Sequence, residues 1–356
     1  MNAATPKSIL FVGAFPRPAA LERFVSGDLA GRLQSRGWKV QVTSRQPSRL
    51  ARLATIVLET WRGSARCDIA CVDVFSGPAF MWAEAACAIL RRARKPYVLT
   101  LHGGNLPEFS KQNPFRVKKL LNSAAAVTCP SPYLVTEMQQ FRPDLTLIPN
   151  GVDLSRYRFR ERQPPLRHLV WLRAFHAIYN PVMAVEVLAE LRREHEMKLT
   201  MIGPDKGDGS LQKTRERAGR LGVDTAVDFR GAVPKANVPD ALADGDIFFN
   251  TSHFDNTPVS VIEAMACGLP VVTTNVGGIP YLLEHGKTAL LVQPGNVGEM
   301  AAAVTRLVTD PDLAAQFSAN GRKLAESFDW EVVLPQWCRL LNSVIPAPPL
   351  AKSYAP

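Results

Sequence analysis

Two successive series of short apolar runs, each alternating with amphipathic stretches, constrain the fold of this chain most strongly. In the first half SILFVGAF, WKVQVTS, DIACVDVF, PYVLTLHG, AAVTCP and LTLIPN alternate with helical patterns near residues 21–36, 79–92 and 113–123. Runs of this kind mark strands buried on both faces of a parallel sheet, with helices as crossovers. A polar, proline-rich break, RYRFRERQPP (Arg156 to Pro165), reads as a linker. HLVWLRAF then opens a second series: a helix from Pro181, MKLTMIG, a helix near 210–221, VDFRG, a helix near 237–243 and DIFFNTS. The predicted architecture is α/β, with two Rossmann-like, doubly wound domains at 1–160 and 161–328. A last helix is expected at 329–345, and the tail at 346–356 is too rich in proline to pack regularly.

A length of 356 residues suits two ordinary domains. The most apolar run, Pro78 to Leu90, carries Glu84 and is shorter than the ~20 residues that a membrane-spanning helix needs. The N-terminus shows no cleavage signature, so the cytoplasm is the expected location. Six cysteines without CxxC pairing suggest reduced thiols, with Cys67 and Cys71 read as core or surface thiols rather than metal ligands. The net charge of +10 divides into +13 for residues 1–160 and −3 for the remainder. Arg45, Arg49 and Arg52 fall on one helical face beside apolar neighbours, and Lys118 and Lys119 add to the excess. Such a face is either simply solvated or makes peripheral contact with an anionic membrane, at about 1 kcal/mol per basic residue. Nucleic acid is not an expected partner, because the basic segment lacks interleaved exposed aromatics. A nicotinamide dehydrogenase is disfavoured, since neither series opens with GxGxxG after its first strand.

The segment FDNTPVSVIEAMACGLPVVTTNVGG, Phe254 to Gly278, carries the chemistry. Thr257 reads as a helix N-cap and Pro258 as the first helical residue; Gly268 and Pro270 stop the helix, and PVVTT reads as a buried strand. The opening of that helix aims N–H groups and the positive end of its dipole into the loop, forming an anion site. Asp255 lies in the loop, and Glu263 lies on the helix, roughly 9 Å from its start at about 1.5 Å per residue. Carboxylates on either side of an anion site suit a diphosphate with hydroxyls at both ends, the shape of a nucleotide-sugar.

This segment resembles the retaining glycosyltransferases often called group 4, which have the GT-B fold. That family has a carboxylate, seven residues, a glutamate, an EAMA-x-G-x-P-V-V run and a Gly-Gly loop. IPNGVD (Ile148 to Asp153) and GIPYLLEHGKTALLVQPGN (Gly278 to Asn296) extend the resemblance over most of residues 100–330. Asp255 stands where the family usually has Glu, and Asn256–Thr257 replaces a common glycine. The resemblance implies two Rossmann-like domains facing a cleft, the acceptor on the first and the nucleotide on the second, with the last helix crossing back. It implies hexose transfer from a nucleotide-sugar to a glycan or lipid-linked acceptor, without a required metal or other cofactor. The basic first domain adds a membrane-proximal acceptor, as in polysaccharide assembly.

Residue by residue, the resemblance implies that Arg173 contacts the diphosphate, Glu263 binds the ribose hydroxyls and Asp255 sits near the sugar. His102, in LTLHGGN, matches a family histidine close to the sugar, with Gly103 and Gly104 allowing close backbone approach. Asn256, Thr257 and Pro258 would line the phosphate. Gly13 lies in the first βα loop, where the family has a Gly-Gly, and Gly231 and Val233 sit where the family cradles the base. The family lysine after Arg173 is absent: Ile178 and Tyr179 occupy its place. Tyr179, His176 or the helix start at Asn180–Pro181 would have to compensate. Two other readings keep the fold: epimerisation or hydrolysis of a nucleotide-sugar, and a binding protein without turnover.

Overall fold

The computed structural model describes residues 7–13, 25–43, 49–103, 105–162, 164 and 166–346. Its contacts divide the chain into two units: the described residues up to Cys129 with Glu137–Ile148 and those from Leu334 on, and Pro130–Thr136 with Pro149–Val333.

In the first unit, β1 (Ser8–Val12), α1 (Val25–Ser35), β2 (Lys39–Val42), α2 (Arg49–Ser64), β3 (Ile69–Val74), α3 (Phe80–Arg92) and β4 (Tyr97–Leu101) follow in order. Then come α4 (Leu106–Gln112), α5 (Pro114–Leu121), β5 (Ala126–Cys129), α6 (Pro132–Met138) and β6 (Leu145–Leu147). The six strands pair in parallel in the order β2-β1-β3-β4-β5-β6. Strand order reverses between β1 and β3, and ligands of open α/β sheets bind beyond the carboxyl ends at such a switch point. Ile9, Phe11, Ile69, Val72 and Leu99 are fully or almost fully buried, the expected environment of strands covered on both faces.

The second unit runs β7 (His168–Leu172), α7 (Pro181–Leu191), β8 (Lys198–Ile202), α8 (Ser210–Arg220), β9 (Val227–Gly231), α9 (Val238–Ala243) and β10 (Ile247–Asn250). It continues with α10 (Val259–Ala266), β11 (Val271–Thr274), α11 (Ile279–Leu282), β12 (Leu290–Val292), α12 (Val297–Thr309) and α13 (Pro311–Glu326), and α14 (Trp330–Val344) follows. Its parallel order is β12-β11-β10-β7-β8-β9, so the switch point lies between β7 and β10. One cluster around Trp171, Phe249, Leu188 and Phe317 and another around Phe248, Ile262, Met265 and Ile279 form its core.

Both predicted doubly wound sheets are present. The predicted linker differs. Pro149–Arg160 clusters with the second unit, because Tyr157 is buried and Arg160 and Arg162 donate to the carbonyls of Ala243 and Gly245. The boundary therefore precedes Pro149 rather than following Arg160. The last helix begins in the second unit, and from Leu334 it clusters with the first. Residues 21–24 of the predicted first helix, Gly104, Arg45 and the tail from 347 on lie outside the described residues. Cys67 and Cys71 are both buried, and all six cysteines are free. Among the described residues no helix is long and apolar enough to cross a membrane, and no group of three or more His, Cys, Asp or Glu is placed to hold a metal ion.

Candidate functional site

The switch point of the second sheet places Arg173 just beyond β7 and Asp255 in the loop after β10. The Arg173 guanidinium donates to the Asp255 carboxylate, and both side chains are largely shielded from water. The guanidinium also lies over the Tyr179 ring, 4.9 Å from its centroid, a cation–π contact. Burial lowers the Arg173 pKa to about 10, opposed by Tyr179 and the Glu263 carboxylate, so the side chain stays a cation at neutral pH. Its Nε is buried without a hydrogen-bond partner among the described residues. Tyr179, one of the groups that could compensate for the missing lysine, thus packs its ring against the Arg173 cation.

The loop that carries Asp255 is fixed from several sides. Thr251 Oγ1 donates at 2.9 Å to the carbonyls of Tyr179 and Asn180 and accepts from Trp171 Nε1 at 3.0 Å. Ser252 Oγ bonds Asn250 Oδ1 and reaches Asp255 Oδ2 at 3.3 Å, while His253 N donates to Ile178 O at 2.8 Å. Asn256 accepts from Ser131 Oγ. The Gly277–Gly278 pair packs directly on this loop: Gly278 N donates to Asp255 O at 2.9 Å. A Cβ at Gly277 would meet Asp255 O at 2.1 Å, and one at Gly278 would meet Asn256 O at 2.0 Å. Only glycine permits that approach.

The helix start differs by one residue from the expected one. Helix α10 begins at Val259, with Pro258 as the extended N-cap at ψ 106° and no side-chain cap. Proline's fixed φ suits the N-cap as well as the first turn, and its missing N–H is of no use to a phosphate at either place. Thr257 thus precedes the cap. Its Oγ1 and that of Ser260, one residue into the helix, are buried without hydrogen-bond partners among the described residues. Glu263, 6% exposed, accepts from the Tyr157 hydroxyl at 2.7 Å.

Other expected residues distribute as follows. Asn180 adopts a left-handed conformation before Pro181 opens α7. His176 Nδ1 accepts from Ile178 N, and its Nε2 faces Asp208 at 3.9 Å. Backbone N–H of Ala177 and the Ser210 hydroxyl hold the Asp208 carboxyl down to about 2. Gly231 ends β9 at φ +67°, and Val233 packs against the core. Gly203, which sequence reasoning did not single out, packs on Arg173: a Cβ there would meet Arg173 O at 1.7 Å.

A second group gathers at the switch point of the first sheet. His102 Nε2 pairs with Asp73 Oδ1 at 2.8 Å, and Ser26 Oγ donates to the same oxygen at 2.8 Å. The His102 ring stacks on Phe75, and Gly103 adopts φ +83°. Gly13 exchanges hydrogen bonds with Thr43 Oγ1 and lines a small cavity with Asp73 and Phe75. Asp73 and Ser26 were missed; a carboxylate at the end of DIACVDVF was the available signal.

Two parallel six-stranded sheets, each flanked by helices, are the architecture of the GT-B glycosyltransferases. The model for "Glycosyl transferases group 1" matches residues 167–324, and that for "Glycosyltransferase Family 4" matches residues 45–156. The putative teichuronic acid biosynthesis glycosyltransferase TuaC of Bacillus subtilis is 30% identical over 314 residues, 82% of this chain and 77% of that one. The MMP α-(1→4)-mannosyltransferase of Mycolicibacterium hassiacum is 26% identical over 74% of this chain, and the match spans 62% of that protein's length. In structure the chain is similar to HepE from Anabaena, solved with UDP and glucose, at a TM-score of 0.77 and 21% identity, covering 95% of this chain and all of that one. The chain belongs to the group 1/group 4 family of GT-B glycosyltransferases.

Proposed function

We propose that this protein transfers a hexose from a nucleotide-sugar to a glycan acceptor, with retention of anomeric configuration. The observation that carries this reading is a set of three buried donors with no acceptor among the described residues, Arg173 Nε, Thr257 Oγ1 and Ser260 Oγ, gathered where α10 opens. A diphosphate supplies those acceptors, and the helix dipole favours its charge. Glu263 would take the ribose hydroxyls, and Asp255 the sugar. Positive charge at the leaving phosphate would come from Arg173 and the helix start, so the reaction requires no metal ion. In the reaction the bond from the anomeric carbon to the diphosphate breaks and a bond to the acceptor oxygen forms on the same face. The acceptor proton passes to the departing phosphate. His102, held by Asp73 in the first unit, is the residue that the family resemblance assigns to the sugar. That HepE was solved with UDP and glucose supports the donor class, and the TuaC name supports a polysaccharide acceptor.

A lipid-linked acceptor and peripheral contact with an anionic membrane complete the proposal. Helix α2 presents Leu58 and Trp61 to solvent beside exposed Arg62 and Arg66. Arg52 lies over the Trp82 ring, 5.2 Å from its centroid, and is less available than a fully solvated arginine.

The test is nucleotide release from a panel of UDP-, GDP-, dTDP- and ADP-sugars, with Glu263→Ala alongside. Release from one donor, lost in the variant, is expected. Binding without release under any acceptor would favour a binding protein. A free sugar or an altered one as the only product would favour hydrolysis or epimerisation, and no binding at all would overturn the reading.

A further inference from the structure

The stretch expected to be a linker instead forms a strap on α10, and its tyrosine touches Glu263. Tyr157 is 4% exposed, and its hydroxyl donates to Glu263 Oε1 at 2.7 Å across a sequence separation of 106 residues. The backbone on both sides of that ring is tied down. Tyr157 N donates to Leu154 O at 3.0 Å. Tyr157 O accepts from Arg322 Nη1 at 3.1 Å, and the same nitrogen donates to Ala266 O, the last residue of α10, at 2.8 Å. Two residues on, Phe159 packs where a Cβ on Gly268 would meet its ring at 2.9 Å. Arg160 N and Arg162 Nη1 both donate to Cys267 O, at 3.2 and 2.6 Å. The Arg162 and Arg322 guanidinium groups and the Arg160 backbone N–H thus satisfy the carbonyls that close α10, the end of a helix dipole that favours cations. Tyr157 and Glu263 therefore sit on two elements that cannot shift independently.

The geometry points to Tyr157 as a positioning residue that sets the orientation of the Glu263 carboxylate for the ribose hydroxyls. The physical need is specific. The terminal torsion of a glutamate is broad, so burial alone leaves the plane of its carboxylate poorly defined. Recognition of a ribose edge by a carboxylate depends on that plane, because both oxygens must face neighbouring hydroxyls. A phenol O–H on Oε1 fixes it, and burial with the neighbouring Glu263 charge keeps that phenol protonated and hence a donor. The inference rests on the nucleotide-sugar reading above, in which Glu263 faces the ribose.

The test compares UDP, GDP and ADP with their 2′-deoxy analogues by titration calorimetry, for the wild type, Tyr157→Phe and Glu263→Ala. Phenylalanine keeps the ring and its packing, and the melting temperature checks that the fold persists. The wild type is expected to prefer one ribonucleotide over its deoxy analogue. In Tyr157→Phe that preference is expected to shrink by roughly tenfold, through weaker ribonucleotide binding, while the deoxy analogue binds as before. A purely structural tyrosine would weaken both ligands alike, so equal weakening overturns the inference, as does a variant that keeps the wild-type preference. If Glu263→Ala also keeps that preference, Glu263 does not read the ribose and the assignment fails at its base. A wild type that binds no nucleotide overturns this inference and the proposed function together.

Discussion

Replacing Gly278 by alanine tests whether the Gly-Gly loop serves the site by letting backbone approach backbone. Gly278 has an ordinary helical φ of −85°, so alanine brings no torsional strain. The added Cβ would meet Asn256 O at 2.0 Å, the Asn256 carbonyl carbon at 2.9 Å and its Cα at 3.2 Å, whereas ordinary contact starts at 3.4 Å. These are backbone atoms with no rotamer to yield, so Asn256 must withdraw by about 1.4 Å. Asn256 lies between Asp255 and Thr257, and the hydrogen bond from Gly278 N to Asp255 O would be strained by the same movement. A misplacement of about 1 Å at a reacting group can cost about 10²-fold in rate, and overpacking of this kind costs about 1–3 kcal/mol of stability. Nucleotide release from the donor that the wild type uses should therefore fall by about 10²-fold, with a melting temperature lower by several degrees. Gly219→Ala is the control: it lies in α8 with nothing within 4 Å of the new Cβ. It should be neutral or stabilising by up to about 1 kcal/mol. Wild-type turnover in Gly278→Ala at an unchanged melting temperature would refute the close-approach argument.

Further outcomes follow from other contacts. Arg173→Ala leaves Asp255 buried without its cation; stability should fall by about 3 kcal/mol in chemical denaturation, and turnover by at least about 10²-fold. Unchanged turnover would remove Arg173 from the site. His168 is held neutral chiefly by burial, its pKa lying below the usual 6.5, with Asp244 O and Thr200 Oγ1 on its two ring nitrogens. Below about pH 6.5 the unfolded chain takes up the proton first, so stability present above that pH is lost as pH falls, by at most about 1.4 kcal/mol per pH unit. Urea midpoints should show that slope, and His168→Gln should flatten it; an identical slope in the variant would exclude His168 as its source. Replacing Arg45, Arg49 and Arg52 by glutamine should weaken sedimentation with anionic vesicles by about 1 kcal/mol per charge, and unchanged binding would count against the membrane contact.

The two sheets were legible because strands covered on both faces must be almost wholly apolar, and SILFVGAF, DIACVDVF, HLVWLRAF and DIFFNTS each show that pattern. Helix α10 and strand β11 were legible from Gly268 and Pro270, which stop the one and precede the other. The start of α10 was misplaced by a residue because proline suits two adjacent positions there, and only ψ distinguishes them. Arg173, Asp255 and Glu263 could be read from a motif, but the Arg173–Asp255 pair could not, since 82 residues separate them. Tyr157 was hidden for the same reason. A run of arginines and prolines looks like solvated linker until the carbonyls that those arginines satisfy are in view. The Asp73–His102 pair depends on two adjacent strands ending side by side, which strand order decides and local sequence does not.

The most direct test of the central claim, that the opening of α10 with Arg173 and Glu263 holds a nucleotide-sugar, is a calorimetric titration of nucleoside diphosphates into the wild type, Arg173→Ala and Glu263→Ala. One nucleotide should bind the wild type at one site per chain, and each variant should bind it at least about tenfold more weakly. Wild-type affinity retained in both variants, or no affinity for any nucleotide in the wild type, would contradict the account.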